Sequence, residues 1–389
     1  MKLFAQIGHG LGDKVLQGFS EGSIDGAIFS PKDLQRSTMR DRISELKNAY
    51  PETELLIDPQ FYLSLYGNSP QINLGKVDEW ISFKTYRKND LELTDTVDEV
   101  LKGYFDEISA MEVTGIIAPG IYISQSFDSR EAVIAKNFVR RSRRNYSGNL
   151  PLYASLVICR EALQDQREFE EFLNDITLLS EPPDGFYIII GSRSTEARSD
   201  IYHADVIANW MMLNRSLAVN DFKVINGYSD ILTPFLKVAG GYAGATGWWS
   251  NLRTFSMDRF FPSGGGRLPI IRYLSKILLN RITISEKDAI KAFIPEVVNG
   301  LPRDKDYTHD KDYSTEPPRN TEVLQSWEAL KSLDGEINSF KECLEAVQAA
   351  QSAYAAWAQV GLPLDSKSDD SHIEPMLEGL RLYKERSQS

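Results

Sequence analysis

The chain has 389 residues, 42% of them hydrophobic, with a formal net charge of −12. That size and apolar content suit one large α/β barrel with an appendage and exclude wholesale disorder. The acidic balance excludes a protein that coats nucleic acid through its whole surface.

In chain order, the apolar runs and helical patterns alternate. "KLFAQIGHG" reads as a strand and "DKVLQGFSEG" as a short helix; "DGAIFSP" is the second strand, followed by a helix through "RDRISELKNAY". The third strand, "ELLIDPQ", runs three apolar residues into the carboxylate Asp58, and residues 61–92 follow as an inserted loop region. "TVDEVLKGYFDEISAMEV" is helical and leads into "TGIIAPG"; a helix over Arg130–Arg144 leads into "PLYASLVI". Three further helix–strand units end in "DGFYIIIGS", "FKVINGY" and "GYAGATGWW". Eight continuous apolar strands separated by helices predict a parallel sheet closed into a (β/α)8 TIM-like barrel over 1–255. "GHGLGD" lacks the glycine spacing of a dinucleotide fold, which counts against an open doubly wound sheet.

Beyond residue 255 the alternation stops. "RLPIIRYLSKILLNRI" and "EKDAIKAFIPEVVNGL" read as helices packing on the barrel over 256–302. A charged, proline-containing linker spans 303–320, and a helical C-terminal region 321–389. The start of the chain lacks a long apolar run, so no signal peptide is expected, and no stretch is apolar enough for a membrane span. Cys159 and Cys343 stand far apart, which fits a reducing cytoplasm. With His9, His203, His309 and His372 scattered as well, neither a metal nor a cofactor is expected.

In such a barrel, reactive groups gather at the C-terminal strand ends. The rim is then Gln6 and His9; Ser30; Asp58 and Gln60; Pro119 and Tyr122; Cys159, Arg160 and Glu161; Ser192 and Arg193; Asn226 and Tyr228; and Trp248, Trp249, Ser250, Asn251 and Arg253. Asp58 is the candidate catalytic residue. Aromatic faces and amides suit a flat base or a sugar, and arginines suit phosphate. Neighbouring strand residues point to opposite faces, so one of Trp248 and Trp249 is expected to face a pocket. "KNFVRRSRRNY" puts Arg140, Arg141, Arg143 and Arg144 in one run, read either as a solvated helix face or as a patch for a nucleic-acid backbone. A lone carboxylate without a metal suits a reaction through an oxocarbenium-like state, with the acid directing water.

"LLIDPQFY" resembles the strand of the tRNA-guanine transglycosylase superfamily that ends in an Asp followed by "SGGF". "VINGYSDILTPFLKVAGGYAGATGWWSNLRTF" is similar to that family's later stretch, which closes in "PTR". The resemblance implies a barrel that exchanges bases in RNA or DNA, with Asp58 handling the target base. Two departures limit it: the family's nucleophilic acid has no counterpart in "GYAGATGWW", and its zinc site is absent. Without the covalent step, the expectation becomes a cytoplasmic N-glycosidic-bond-cleaving hydrolase that excises a base, DNA ahead of RNA, extending to modified bases in phage DNA. Gln6, His9, Gln60, Tyr122, Arg193, Asn226, Tyr228, Trp248, Trp249, Asn251 and Arg253 would contact substrate. The alternatives are a TIM-barrel enzyme on a small sugar or nucleotide, whose phosphate the arginines hold, and a non-catalytic barrel that binds a partner.

Overall fold

The computed structural model describes residues 1–67, 69, 71–194, 200–262, 269–307 and 317–388. Barrel strands are β1 (Lys2–Gln6), β2 (Gly26–Phe29), β3 (Glu54–Ile57), β4 (Ile116–Ile117), β5 (Tyr122–Ile123), β6 (Leu152–Cys159), β7 (Gly185–Ser192), β8 (Lys223–Gly227) and β9 (Ala243–Thr246). They pair in parallel in the order β3-β2-β1-β9-β8-β7-β6-β4, and β5 also pairs with β6. β4 and β5 are thus one barrel position interrupted at Pro119, which has no N–H to give a ladder. The seam between β3 and β4 closes through Thr114: its N–H donates to the Leu55 carbonyl at 2.9 Å, and its Oγ1 accepts from the Leu55 N–H at 2.8 Å. The result is an eight-position, nearly closed TIM barrel.

All eight residues of both β6 and β7 are buried, as parallel strands covered on both faces require. The outer layer is α1 (Lys14–Ser20), α2 (Arg36–Ala49), α4 (Thr94–Ile108), α5 (Arg130–Asn145), α6 (Gln166–Thr177), α7 (Ala204–Val219) and α8 (Thr233–Val238), with the one-turn α3 (Lys88–Leu91) ahead of α4. In α4 the buried set Val97, Val100, Leu101, Tyr104, Phe105 and Ile108 recurs at helical spacing and forms its inner stripe.

The inserted region after β3 folds back over the mouth. The Asn73 N–H donates to the Phe260 carbonyl and the Lys76 N–H to the Lys32 carbonyl at 3.0 Å. After β9 come the one-turn α9 (Ser250–Arg253) and β10 (Phe255–Ser256), which pairs with the end of β7.

The helix expected over 267–282 is instead an antiparallel hairpin, β11 (Arg272–Ser275) and β12 (Asn280–Thr283). Its apolar residues fit either period over so short a run, so tertiary contact decides. The Gln325 side chain accepts from the Leu274 N–H and donates to the Leu274 carbonyl, both at 2.9 Å, closing the strand edge. Leu279 takes φ +48° at the turn. Then follow α10 (Ile284–Lys291), α11 (Arg319–Glu336), α12 (Phe340–Ala358) and α13 (Ile373–Arg386). Of the linker expected over 303–320, residues 303–307 belong to a short 3-10 helix (Pro302–Tyr307), 308–316 lie outside the described residues, and 319–320 already start α11. The C-terminal helices pack directly on the barrel wall: Gly379 of α13 lies against Ile207 of α7, and the Met1 amino group donates to Asp334 of α11 at 3.0 Å. Among the described residues, no helix is long and apolar enough to cross a membrane.

Barrel closure leaves no room at Gly26, where a Cβ would meet the Glu54 carbonyl and the Phe4 ring at 2.6 Å. Gly26→Ala should therefore lower stability by about 1–3 kcal/mol in urea unfolding. Gly335→Ala, where a Cβ meets nothing within 4 Å, should be neutral or slightly stabilising. Equal effects at the two positions would mean that the β2–β3 contact is looser than described.

Candidate active site at the barrel mouth

Asp58 directly follows β3, and its backbone N–H donates to the Phe29 carbonyl at 3.0 Å, so the strand ladder fixes its position. Its side chain points into a closed polar cluster and the residue is 1% exposed. Oδ1 accepts from the Gln60 N–H at 3.0 Å and Oδ2 from the Tyr62 hydroxyl at 3.1 Å. Burial pushes the Asp58 carboxyl up to about 6, and these hydrogen bonds with nearby Arg259 keep it from going higher. Burial, and then the Asp58 charge, raise the Tyr62 and Tyr187 phenols well above their ordinary range.

Gln60 takes φ +52°, a left-handed backbone that a non-glycine residue adopts at a cost of about 1–3 kcal/mol. That turn aims its amide across the mouth: Nε2 donates to Ser30 Oγ at 2.8 Å, and Oε1 accepts from the Lys32 N–H at 2.8 Å. Gln6, ending β1, accepts from the Tyr187 hydroxyl at 3.4 Å, while its buried Nε2 has no hydrogen-bond partner.

The cation of the cluster comes from beyond the last barrel strand. Arg259 has a side chain 2% exposed. Its guanidinium donates to the Tyr228 hydroxyl at 2.6 Å, the Asp33 carboxylate at 3.0 Å and the Asn251 carbonyl at 3.4 Å. Burial works against this charge, but the facing oxygens of Tyr228, Asp33, Tyr62 and Asp58 more than offset it and hold the pKa up. Its Nε, like Gln6 Nε2, is buried without a partner. Phe255 packs edge-on against Tyr62 and Tyr228, with ring centroids 5.3 Å apart in each case.

Next to this cluster a cavity of about 130 Å³ opens over the ends of β8 and β9. Tyr228 lines it along with Asp230, Arg253, Arg272, Arg281 and Lys367. Tyr228 and Asp230 have φ of +55° and +42°, so the β8 rim, like Gln60, holds strained backbone. Asp230 accepts from both Arg281 terminal nitrogens and from the Thr246 hydroxyl.

The structure thus brings together Asp58, Gln60, Gln6 and Tyr228 from the expected set, and puts Arg253 in the adjoining cavity. Tyr122 stands beside them across Phe255, at 6.3 Å between ring centroids. Asn251 offers its carbonyl to Arg259, and its Oδ1 is buried without a partner.

Other expected residues are placed differently. Asn226 faces the helix layer: its amide binds Trp210 and Asn214 of α7 at 2.7 Å, because its side chain leaves the strand on the outer face. Trp248 and Trp249 both donate to the His9 carbonyl, at 2.8 and 3.3 Å, so both clamp the β1–α1 loop and neither lines the cavity. His9 itself is exposed. The Arg193 side chain is 67% exposed and pairs with Glu161 at 2.9 Å. The arginine run lies at the end of α5, on the N-terminal side of the barrel, away from the mouth. Each member faces a carboxylate: Arg140 with Asp175, Arg141 with Asp98, Arg143 with Asp184 and Arg144 with Glu181. Among the described residues, no group of three or more His, Cys, Asp and Glu side chains is arranged to hold a metal ion.

Sequence reasoning missed Tyr62, Tyr187, Asp33 and Arg259. Tyr62 was visible as the hydroxyl four residues after Asp58, but Arg259 lies past the point where strand alternation stops.

No family model matches the chain, and no curated protein matches it. Among solved structures it is similar to an HpcH/HpaI aldolase from Desulfitobacterium hafniense, at 12% identity over 63% of this chain and 85% of that one, with a TM-score of 0.35. It is also similar to a glycosyl hydrolase of the GH3 family from Mycobacterium smegmatis, at 10% identity over 62% and 82%, with a TM-score of 0.34. A third is dihydrodipicolinate synthase from Oceanobacillus iheyensis, at 11% identity over 96% and 99%, with a TM-score of 0.25. None of the three is a tRNA-guanine transglycosylase.

The raised carboxyl has a consequence for stability. Between the ordinary value of 3.8 and about 6 the native state holds a proton that the unfolded chain releases, so stability falls as pH rises through that window and levels off above it. The gap is worth about 3 kcal/mol. Asp58→Asn lacks this loss, so its stability relative to the parent should climb by about 2–3 kcal/mol between pH 4 and 6 in parallel urea titrations. A difference that stays flat would mean that water reaches the carboxylate.

Proposed function

We propose that the protein is a TIM-barrel enzyme acting by general acid–base catalysis on a small sugar or nucleotide bound at the C-terminal mouth. The observation that carries this is the convergence of Asp58, Tyr62, Tyr187, Gln6 and Arg259 in one closed cluster, joined to a small cavity through Tyr228. A carboxyl held near 6 is matched to proton transfer at neutral pH. The Tyr228 oxygen accepts from Arg259, which leaves its own proton to be donated toward the cavity. Arg259 offsets negative charge that develops on either oxygen, in a site dry enough for that attraction to count. A cavity of about 130 Å³ is close to one that holds a single small ring and well short of the ~300–1,000 Å³ of larger ligand sites. That favours a small substrate.

Excision of a base from DNA or RNA, as the transglycosylase resemblance implies, would use the same Asp58. The four arginines of α5 lend it no support, since they face carboxylates at the other end of the barrel. It is therefore the second arm of the test. Purified protein is incubated with a panel of sugars, sugar phosphates, nucleosides and nucleotides, and in parallel with natural and phage-modified DNA, and products are followed by mass analysis. The reading expects turnover in the small-molecule panel, with Asp58→Asn slower by about 10²–10⁴-fold and the acidic limb of the rate profile near pH 6 lost. Released bases and abasic sites in DNA, without small-molecule turnover, would replace it with the glycosylase reading. Wild-type rates in Asp58→Asn would remove Asp58 from either.

A further inference from the structure

The cavity over β8 and β9 is walled by two parts of the chain with separate origins. Arg253 comes from the one-turn helix after β9, while Arg272 and Arg281 come from the β11–β12 hairpin outside the barrel. Lys367 reaches in from the loop before α13, and Asp230 is the carboxylate in the lining. Four cationic side chains thus share a space of about 130 Å³ with one acid.

Their counter-charges sit largely behind the wall. Glu322 of α11 accepts from Arg253 at 3.2 Å, Asp365 pairs with Arg272, and Asp230 is fully engaged by Arg281. Arg253 also donates to the Gly247 and Trp248 carbonyls at 3.1 and 2.9 Å, which fixes its direction. Burial lowers the Arg253 pKa, and the nearby Arg281 charge lowers it further, so the two guanidiniums repel each other across the site. Arg281 keeps a buried Nε with no hydrogen-bond partner. Asp230 and Glu322 offset that repulsion only in part for Arg253, whose charge stays disfavoured, and the unused Arg281 donor adds to the cost.

We infer that this cavity is a subsite for the phosphomonoester group of the substrate, held between Arg253 and the hairpin arginines Arg272 and Arg281. A phosphomonoester carries about −1.5 to −2 charge at pH 7 and three acceptor oxygens. Guanidiniums entering from different elements suit a tetrahedral group with oxygens on several sides, whereas one fork is enough for a planar carboxylate. Tyr228 lines this subsite and is held by Arg259 of the Asp58 cluster, so it is the side chain that links the two. The inference rests on the proposed enzyme only for the remainder of the substrate; the anion site stands or falls by binding alone.

Calorimetric titration with ribose 5-phosphate, ribose, inorganic phosphate and acetate tests it. The expected result is that ribose 5-phosphate binds at least tenfold more tightly than ribose, that inorganic phosphate competes with it, and that acetate does not. Replacing Asp230→Asn and Arg281→Gln together removes both halves of the pair while Asn tolerates the left-handed backbone at position 230, so the fold is kept. That double variant should weaken ribose 5-phosphate at least tenfold, and Lys367→Gln, on an exposed side chain, about threefold. Ribose binding as well as its phosphate, or both variants binding like wild type, would overturn the subsite and leave the cations as a structural network. Phosphate binding as described, with no phosphorylated compound turned over, would uphold the subsite and sink the enzyme reading instead.

Discussion

Arg259 carries a full charge into a place where almost no water reaches, and the architecture of the barrel mouth follows from how that charge is accommodated. A buried guanidinium costs several kcal/mol unless acceptors surround it. They come from every side: Asp33 from the loop after β2, Tyr228 from the end of β8, the Asn251 carbonyl from α9, and Asp58 facing it from the end of β3. One side chain therefore ties together rim segments hundreds of residues apart in sequence. The same cation limits how far Asp58 can rise, leaving a carboxyl near neutrality rather than one permanently protonated.

The rim is assembled at a cost that ordinary structure would avoid. Gln60, Tyr228 and Asp230 all adopt left-handed backbone, and Gln6 and Arg259 each leave a buried donor unpaired. Strained backbone also occurs at Asp221 before β8, but at the rim it coincides with unpaired buried donors, as expected where side chains are positioned for a ligand. At the opposite end, each arginine of the α5 run faces a carboxylate. The appendage belongs to the site as well, because the β11–β12 hairpin supplies two of the cations in the cavity wall and Gln325 of α11 holds that hairpin in place.

Much of this was legible in the sequence wherever local pattern and tertiary packing agree. The barrel could be read because each apolar run is short, continuous and followed by a helical repeat, and Asp58 because a strand end in a barrel is a defined place. The hairpin reads as a helix in sequence because "IIRYLSKILLNRI" satisfies both periods, and only the Gln325 contact and the turn at Leu279 choose between them. Asn226 faces the helices rather than a substrate, because strand alternation gives the two sides of a strand but not which one looks inward. Arg259 was invisible for a different reason. Its partners Asp33 and Tyr228 are 226 and 31 residues away, and no periodicity links them.

The central claim is that Asp58 is a buried acid tuned by Arg259, and the most direct measurement is its own titration. Isotope-edited infrared difference spectra of carboxyl-labelled protein, with Asp58→Asn as the blank, resolve that one group. The account predicts a midpoint near pH 6 that moves upward in Arg259→Gln, because removing the cation leaves burial opposed only by the Gln60, Tyr62 and Tyr187 hydrogen bonds. A midpoint near the ordinary aspartate value, or one indifferent to Arg259, would contradict it.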